Sequence, residues 1–258
     1  MTAHPLPKRV CSHPRFPKLS AGPSIVGYAS NQLDDDYGAA YLTPQFVGVT
    51  DASGLTLNSI KPVTTTEGYV VGGGDVEIQF LDNGGYTIED ESFMWDGAKW
   101  IYNGGALAGQ DASDYKINAG LGVLVGSGFD PDEATVFLQS AGQVGTNDAL
   151  TTLDDDYGTV IAGNPFPVDR TLGQFSLEAE GGDVSGGDVE LQFLDNAGYT
   201  IEEKSFVWDG AKWVYNGGAL AGQDASAFVI PAGQGVLVGS GFDPDDITVT
   251  LRVPAPTL

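Results

Sequence analysis

Apolar and polar side chains alternate without a break through DVEIQFLD. Val76, Ile78 and Phe80 point one way, and Asp75, Glu77 and Gln79 the other. A period of two is that of a half-buried strand. The DNGG that follows is a turn by composition, and YTIEDESFMW resumes extended chain. Asp96-Gly97 is the residue pair favoured in a two-residue hairpin turn, where both positions need positive φ, and KWIYNGG is the return strand. In that register Trp95 pairs with Ala98 and Phe93 with Trp100, which puts Trp95, Phe93 and Trp100 on one face. DYKINAGLGVLVGS gives a further strand, GFDPDE a turn and ATVFLQS a last strand. Upstream, SIVGYAS and AAYLTPQFVGV read as strands joined by LDDDYG, and GLTLNSIKPV as another with Leu55 and Leu57 on one side. No stretch keeps a helical period. About seven or eight short strands separated by turns predict an antiparallel β-sandwich or jelly-roll-like domain.

The chain writes this domain twice. Residues 73–138 return as 186–251, with 52 of 66 positions identical. LDDDYG recurs at an offset of 120 (33–38 and 153–158), whereas the long repeat has an offset of 113, so seven residues are lost between these landmarks. The alignment by eye sets Phe46 against Phe166, and Leu55 and Leu57 against Phe175 and Leu177. The organisation expected is an all-β chain: an extended arm (1–23), copy 1 (24–140), a short flexible linker (141–150) and copy 2 (151–258) from an internal duplication. Each copy is large enough for a core of its own.

Charge changes the picture at one end. Lys8, Arg9, Arg15 and Lys18 precede every acidic residue, and the arm carries five prolines. After Lys18 stand 7 of the 11 basic residues and all 35 acidic ones, a net −28. Such a body repels phosphate backbones and anionic lipid, so no nucleic-acid partner is expected. No run of 18 apolar residues exists, so no membrane span is expected, and no standard signal peptide is visible. The single Cys11 excludes an intramolecular disulfide.

Histidine narrows the chemistry. His4 and His13 both lie in the arm, so the body has no histidine for triad catalysis or for a zinc or iron site. Carboxylates remain. Glu89 and Asp96 could in principle form a glycosidase pair, but Glu91 becomes Lys204 and Asp114 becomes Ala227 in the second copy. Calcium takes oxygen ligands from acidic loops. The candidates are Asp34, Asp35 and Asp36, repeated as Asp154, Asp155 and Asp156, and Asp130 and Asp132, repeated as Asp243 and Asp245. Against this stands the solvated turn, in which Asp caps its own backbone. For a carbohydrate the candidates are Trp95, Trp100 and Tyr102, repeated as Trp208, Trp213 and Tyr215 around the Asp-Gly hairpins. Against this stands the core, which large aromatic side chains on strands favour.

The phrase IPAGQGVLV (230–238), followed by TVTL and preceded in copy 1 by the opening IVGY, resembles bacterial secreted and surface-associated β domains. Asn118 and Leu121 replace the proline and the glutamine of this phrase in copy 1. The resemblance implies an extracellular, non-catalytic module and transfers no binding residue. The functional expectation is therefore a structural or adhesive β protein of the cell surface or exterior. It would associate with itself, through the arm or the sheet edges, or with other surface proteins. A carbohydrate-binding module is the alternative, with glycans as partners, and a glycoside hydrolase the third.

Overall fold

The computed structural model describes residues 26–33, 39–48, 51, 53–82, 84–129, 134–153, 158–195, 197–241 and 247–257. The fold is all-β, with no α-helix among the described residues. Copy 1 contains β1 (Val26–Gln32), β2 (Ala39–Leu42), β3 (Gly54–Thr56), β4 (Ile60–Thr64), β5 (Val76–Leu81), β6 (Thr87–Trp95), β7 (Trp100–Tyr102), β8 (Lys116–Asn118), β9 (Val123–Ser127) and β10 (Val136–Gln143). Copy 2 repeats them as β11 (Ala149–Leu153), β12 (Thr159–Gly163), β13 (Arg170–Thr171), β14 (Ser176–Glu180), β15 (Val189–Leu194), β16 (Thr200–Trp208), β17 (Trp213–Tyr215), β18 (Val229–Ile230), β19 (Gly235–Ser240) and β20 (Thr248–Val253).

Each copy is a sandwich. A three-stranded sheet, β1-β10-β4 or β11-β20-β14, faces a five-stranded one, β2-β9-β5-β6-β7 or β12-β19-β15-β16-β17. All pairings are antiparallel. The consecutive strands β9 and β10 lie in opposite sheets, β9 between β2 and β5 and β10 between β1 and β4, which is the jelly-roll-like wrapping expected. The alternation of Val76, Ile78 and Phe80 points into the sandwich, where they meet Val136 and Leu138 from the opposite sheet. Val189, Leu191 and Phe193 do the same with Val249 and Leu251. The two cores share no residue.

Three local expectations shift. GLTLNSIKPV is not one strand, because a 3-10 turn at Leu57–Ser59 separates β3 from β4 and buries Leu57. The matching turn is Leu172–Gln174, and the indole of Trp100 reaches Ile60 O where that of Trp213 reaches Phe175 O. Leu57 therefore corresponds to Leu172 and Ile60 to Phe175, an offset of 115. Five residues are lost before this turn and two after β4, both in connections. The aromatic hairpin departs from the expected register, each partner lying two residues further on: Trp95 pairs with Trp100 and Phe93 with Tyr102. Asp96 N donates to Lys99 O, and the positive φ of 98° falls on Gly97. The turn is thus Gly97-Ala98, with Asp96 preceding it and accepting from Ala98 N and Lys99 N at 2.8 Å each.

The connection between copies is held rather than loose. β10 runs to Gln143 and β11 starts at Ala149, so strands occupy both ends of the expected linker. Asp148 accepts from Arg252 Nε at 2.6 Å and from Ala255 N at 2.8 Å.

Candidate binding surface

The two copies meet across a pseudo-two-fold axis. Positions 42 and 162 correspond, as do 121 and 234. Leu42 bridges Gln234, and Leu121 bridges Ala162. Gly122 N donates to Ile161 O at 2.8 Å, and at the corresponding place Gln234 Nε2 donates to Tyr41 O at 3.2 Å. Thr43 N adds a bond to Gly233 O at 2.9 Å. Glycine is required where the backbones approach: a β-carbon on Gly235 would stand 2.7 Å from the Tyr41 carbonyl carbon. Tyr41 and Ile161, which correspond, belong to neither core and are buried at this seam. Burial and the nearby Asp195 carboxylate raise the Tyr41 phenol above its ordinary pKa. Where the connection crosses the seam a cleft of about 240 Å³ opens, lined by the corresponding Phe46 and Phe166 together with Pro44, Asn147 and Leu150.

This pairing covers the β2 and β12 edges of the five-stranded sheets at their Leu42 and Ala162 ends. The opposite edge, β7, is covered by its own chain: Tyr102 N donates to Gln110 O at 3.0 Å, Gly109 N to Tyr102 O at 2.8 Å and Ala112 N to Trp100 O at 2.9 Å. The same bonds recur on β17. Covered edges do not recruit further strands. In the three-stranded sheets, Pro62 on edge strand β4 lacks a donor, and Glu178 and Glu180 line edge strand β14.

The sequence-predicted aromatic residues lie mostly inside. Trp100 and Trp213 are each 1% exposed and donate to backbone carbonyls at 2.7 Å. Trp95 is buried, while Trp208, Tyr102 and Tyr215 are half-buried against the cores. The enclosed rings of Trp95, Trp100 and Trp213 present no face to a sugar. Glu89 and Asp96 lie on one strand and its turn, seven residues apart and so about 23 Å by strand rise, too far to act as a glycosidase pair. Asp34, Asp35, Asp36, Asp130, Asp132, Asp154, Asp155, Asp156, Asp243 and Asp245 lie outside the described residues, as does the arm. Among the described residues no group of three His, Cys, Asp or Glu side chains is placed to hold a metal.

Sequence reasoning missed two other features. Tyr86 and Tyr199 are 74% and 73% exposed, at the β5–β6 and β15–β16 turns. Each turn is fixed by an aspartate: Asp82 Oδ1 accepts from Gly84 N and Tyr86 N, and Asp195 Oδ1 from Ala197 N and Tyr199 N, all at 2.9 Å. Asp-Asn-x-Gly-Tyr after an alternating run was the available signal, since such an aspartate fixes the turn and leaves the tyrosine outside. The second feature is a chain of polar groups on the outer face of each five-stranded sheet. Thr87 Oγ1 donates to Gln79 Oε1 at 3.1 Å, and Gln79 Nε2 and Asn103 Nδ2 donate to the two oxygens of Glu77, both at 3.1 Å. Copy 2 repeats it through Thr200, Gln192, Asn216 and Glu190 at 3.0, 3.0 and 3.1 Å.

Differences between copies fall elsewhere. In copy 1 Glu91 bonds the Tyr115 phenol, and burial with this carboxylate raises the phenol's pKa strongly. In copy 2 Phe228 has no hydroxyl, and Lys204 lies over the Phe193 ring at 5.7 Å. The Asp111 and Asp224 carboxylates are held below their ordinary range, first by Lys99 and Lys212 respectively. These ion pairs are half-exposed and add little to stability. Compared with known protein families, with curated proteins and with solved structures, the chain matches none.

Proposed function

We infer that the chain is a non-catalytic adhesive or structural β protein that acts at the cell surface or outside the cell. The observation that carries this reading is the pairing of two near-identical sandwiches about a pseudo-two-fold axis, which presents each exposed feature twice from one chain. Two linked contacts on one target raise avidity without any new contact, because the second binds at high effective concentration. Covered edges in the five-stranded sheets weigh against strand addition there and leave the arm as the candidate for self-association.

The test is retention of the purified chain on surfaces coated with cell-envelope polysaccharide or protein. The outcome expected is retention that drops by more than half when either Tyr86→Ser or Tyr199→Ser is introduced. A chain retained on no coated surface contradicts the reading.

Carbohydrate binding is the second reading. Exposed Tyr86 and Tyr199 and the polar chains on the sheet faces favour it, rather than the buried tryptophans. The calcium expectation has its own test. A chelator that lowers the melting temperature by several degrees supports ions at the aspartate-rich segments, because a ligand bound to the folded state stabilises it. An unchanged melt removes that expectation.

A further inference from the structure

The outer face of the copy 2 sheet carries a groove of about 320 Å³, which falls at the lower end of ligand-site volumes, about 300–1,000 Å³. Its floor is Gly239 on β19, between β12 and β15, and a β-carbon there would meet nothing within 4 Å. Thr159 on β12 forms one wall, Glu190 and Gln192 on β15 the other, and Leu237 and Asp188 close the ends. The seam brings the other copy to its rim: a β-carbon on Gly85 would stand 3.7 Å from Thr159 Oγ1, and the next residue is the exposed Tyr86.

We propose that this groove binds a segment of a neutral glycan, with Glu190 as the acceptor for its hydroxyl groups. The proposal rests on the carbohydrate reading above and names its site. Glu190 is pre-oriented, since Asn216 donates to Oε1 and Gln192 to Oε2, and Thr200 in turn fixes Gln192. A carboxylate oxygen has lone pairs beyond the one each amide takes. Among the described residues no lysine or arginine lines the groove, so an anionic ligand is repelled and an uncharged donor of hydrogen bonds is favoured. A cation is poorly served: calcium needs six to eight oxygens, and among the described residues no group of three His, Cys, Asp or Glu side chains is placed to hold a metal. Leu237 offers apolar surface to the C–H face of a sugar ring.

The comparison between copies supports the assignment independently. Glu77, Gln79, Thr87, Asn103, Gly126 and Tyr86 recur unchanged as Glu190, Gln192, Thr200, Asn216, Gly239 and Tyr199. On the far half of the same outer face Met94 and Ile101 become Val207 and Val214. Copy 1 offers a related site over Gly126, with Ala39 where copy 2 has the wall residue Thr159.

The experiment is titration calorimetry of the full chain with hexasaccharides of the malto, cello, xylo, manno and galacto series, with a hyaluronan hexasaccharide and CaCl2 as comparators. The result expected is two sites per chain for at least one neutral oligosaccharide. Gly239→Leu should remove one site, Gly126→Leu with Gly239→Leu both, and Glu190→Ala should weaken the copy 2 site tenfold or more, all with the wild-type melting temperature. No neutral oligosaccharide bound at millimolar concentration overturns the carbohydrate reading itself. Binding that survives both leucine substitutions overturns the site and leaves that reading standing. Hyaluronan or calcium bound more tightly, and lost with Gly239→Leu, overturns the ligand class.

Discussion

Leu42 stands opposite Gln234 in an antiparallel bridge between the two copies, and the corresponding pair, Ala162 and Leu121, makes the same bridge in reverse. Such reciprocity is the property of an isologous dimer interface, here contained in one chain. It makes the two sandwiches one unit rather than two beads on a string, and it places the tyrosine turn of each beside the edge strand of the other.

The seam depends on backbones that approach without side chains. Gly235→Val adds atoms within 2.7 Å of the Tyr41 backbone, in space the seam does not have. Overpacking of this kind costs about 1–3 kcal/mol. Because the cores are separate, the outcome expected is a larger radius of gyration by X-ray scattering and a lower first melting transition, with β circular dichroism retained. An unchanged radius and melt would show that the copies do not rely on this contact.

Trp100 and Trp213 are structural in this account. Trp100→Ala removes a buried indole and leaves Ile60 O without its donor, and the expected loss is about 3–5 kcal/mol in urea denaturation. Trp213→Ala should behave alike through Phe175 O. Wild-type stability in either variant would mean that the rings are not core.

Much of this was legible in the sequence and some was not. The alternation through Val76, Ile78 and Phe80 identified the strands because side-chain period and burial are one constraint in a sandwich. The duplication identified two copies. The match of Leu57 to Leu177 failed because that half of the domain has diverged, and only the shared indole-to-carbonyl bond reveals Leu172 as the partner. The hairpin turn lies one residue beyond the expected Asp96-Gly97, and each strand partner two, because Asp96 caps the turn from outside it. The seam was not legible: Gly122 and Gly235 look like any strand glycine until Ile161 and Tyr41 are brought against them. The exposed tyrosines were overlooked for the opposite reason, since the tryptophans drew attention and are the better core residues.

Tyr115 predicts a difference between copies at alkaline pH. Its phenol is raised above the ordinary value of 10.0, by burial and then by Glu91, so the folded state holds this proton more tightly than the unfolded chain. The stabilisation is complete below pH 10 and is lost as pH rises beyond it, because the unfolded state ionises first. Tyr115→Phe, which copies Phe228, should flatten the fall of melting temperature between pH 10 and about pH 12 in proportion to this one group. An identical fall in the variant would place the alkaline sensitivity elsewhere.

Adhesion through two equivalent faces is the central claim, and dissociation from a sensor coated with a neutral polysaccharide that the chain binds tests it most directly. The wild-type chain should leave at least about tenfold more slowly than Gly126→Leu or Gly239→Leu, since each variant keeps one face and loses the linked second contact. Equal dissociation rates for the wild type and both single-face variants would contradict it.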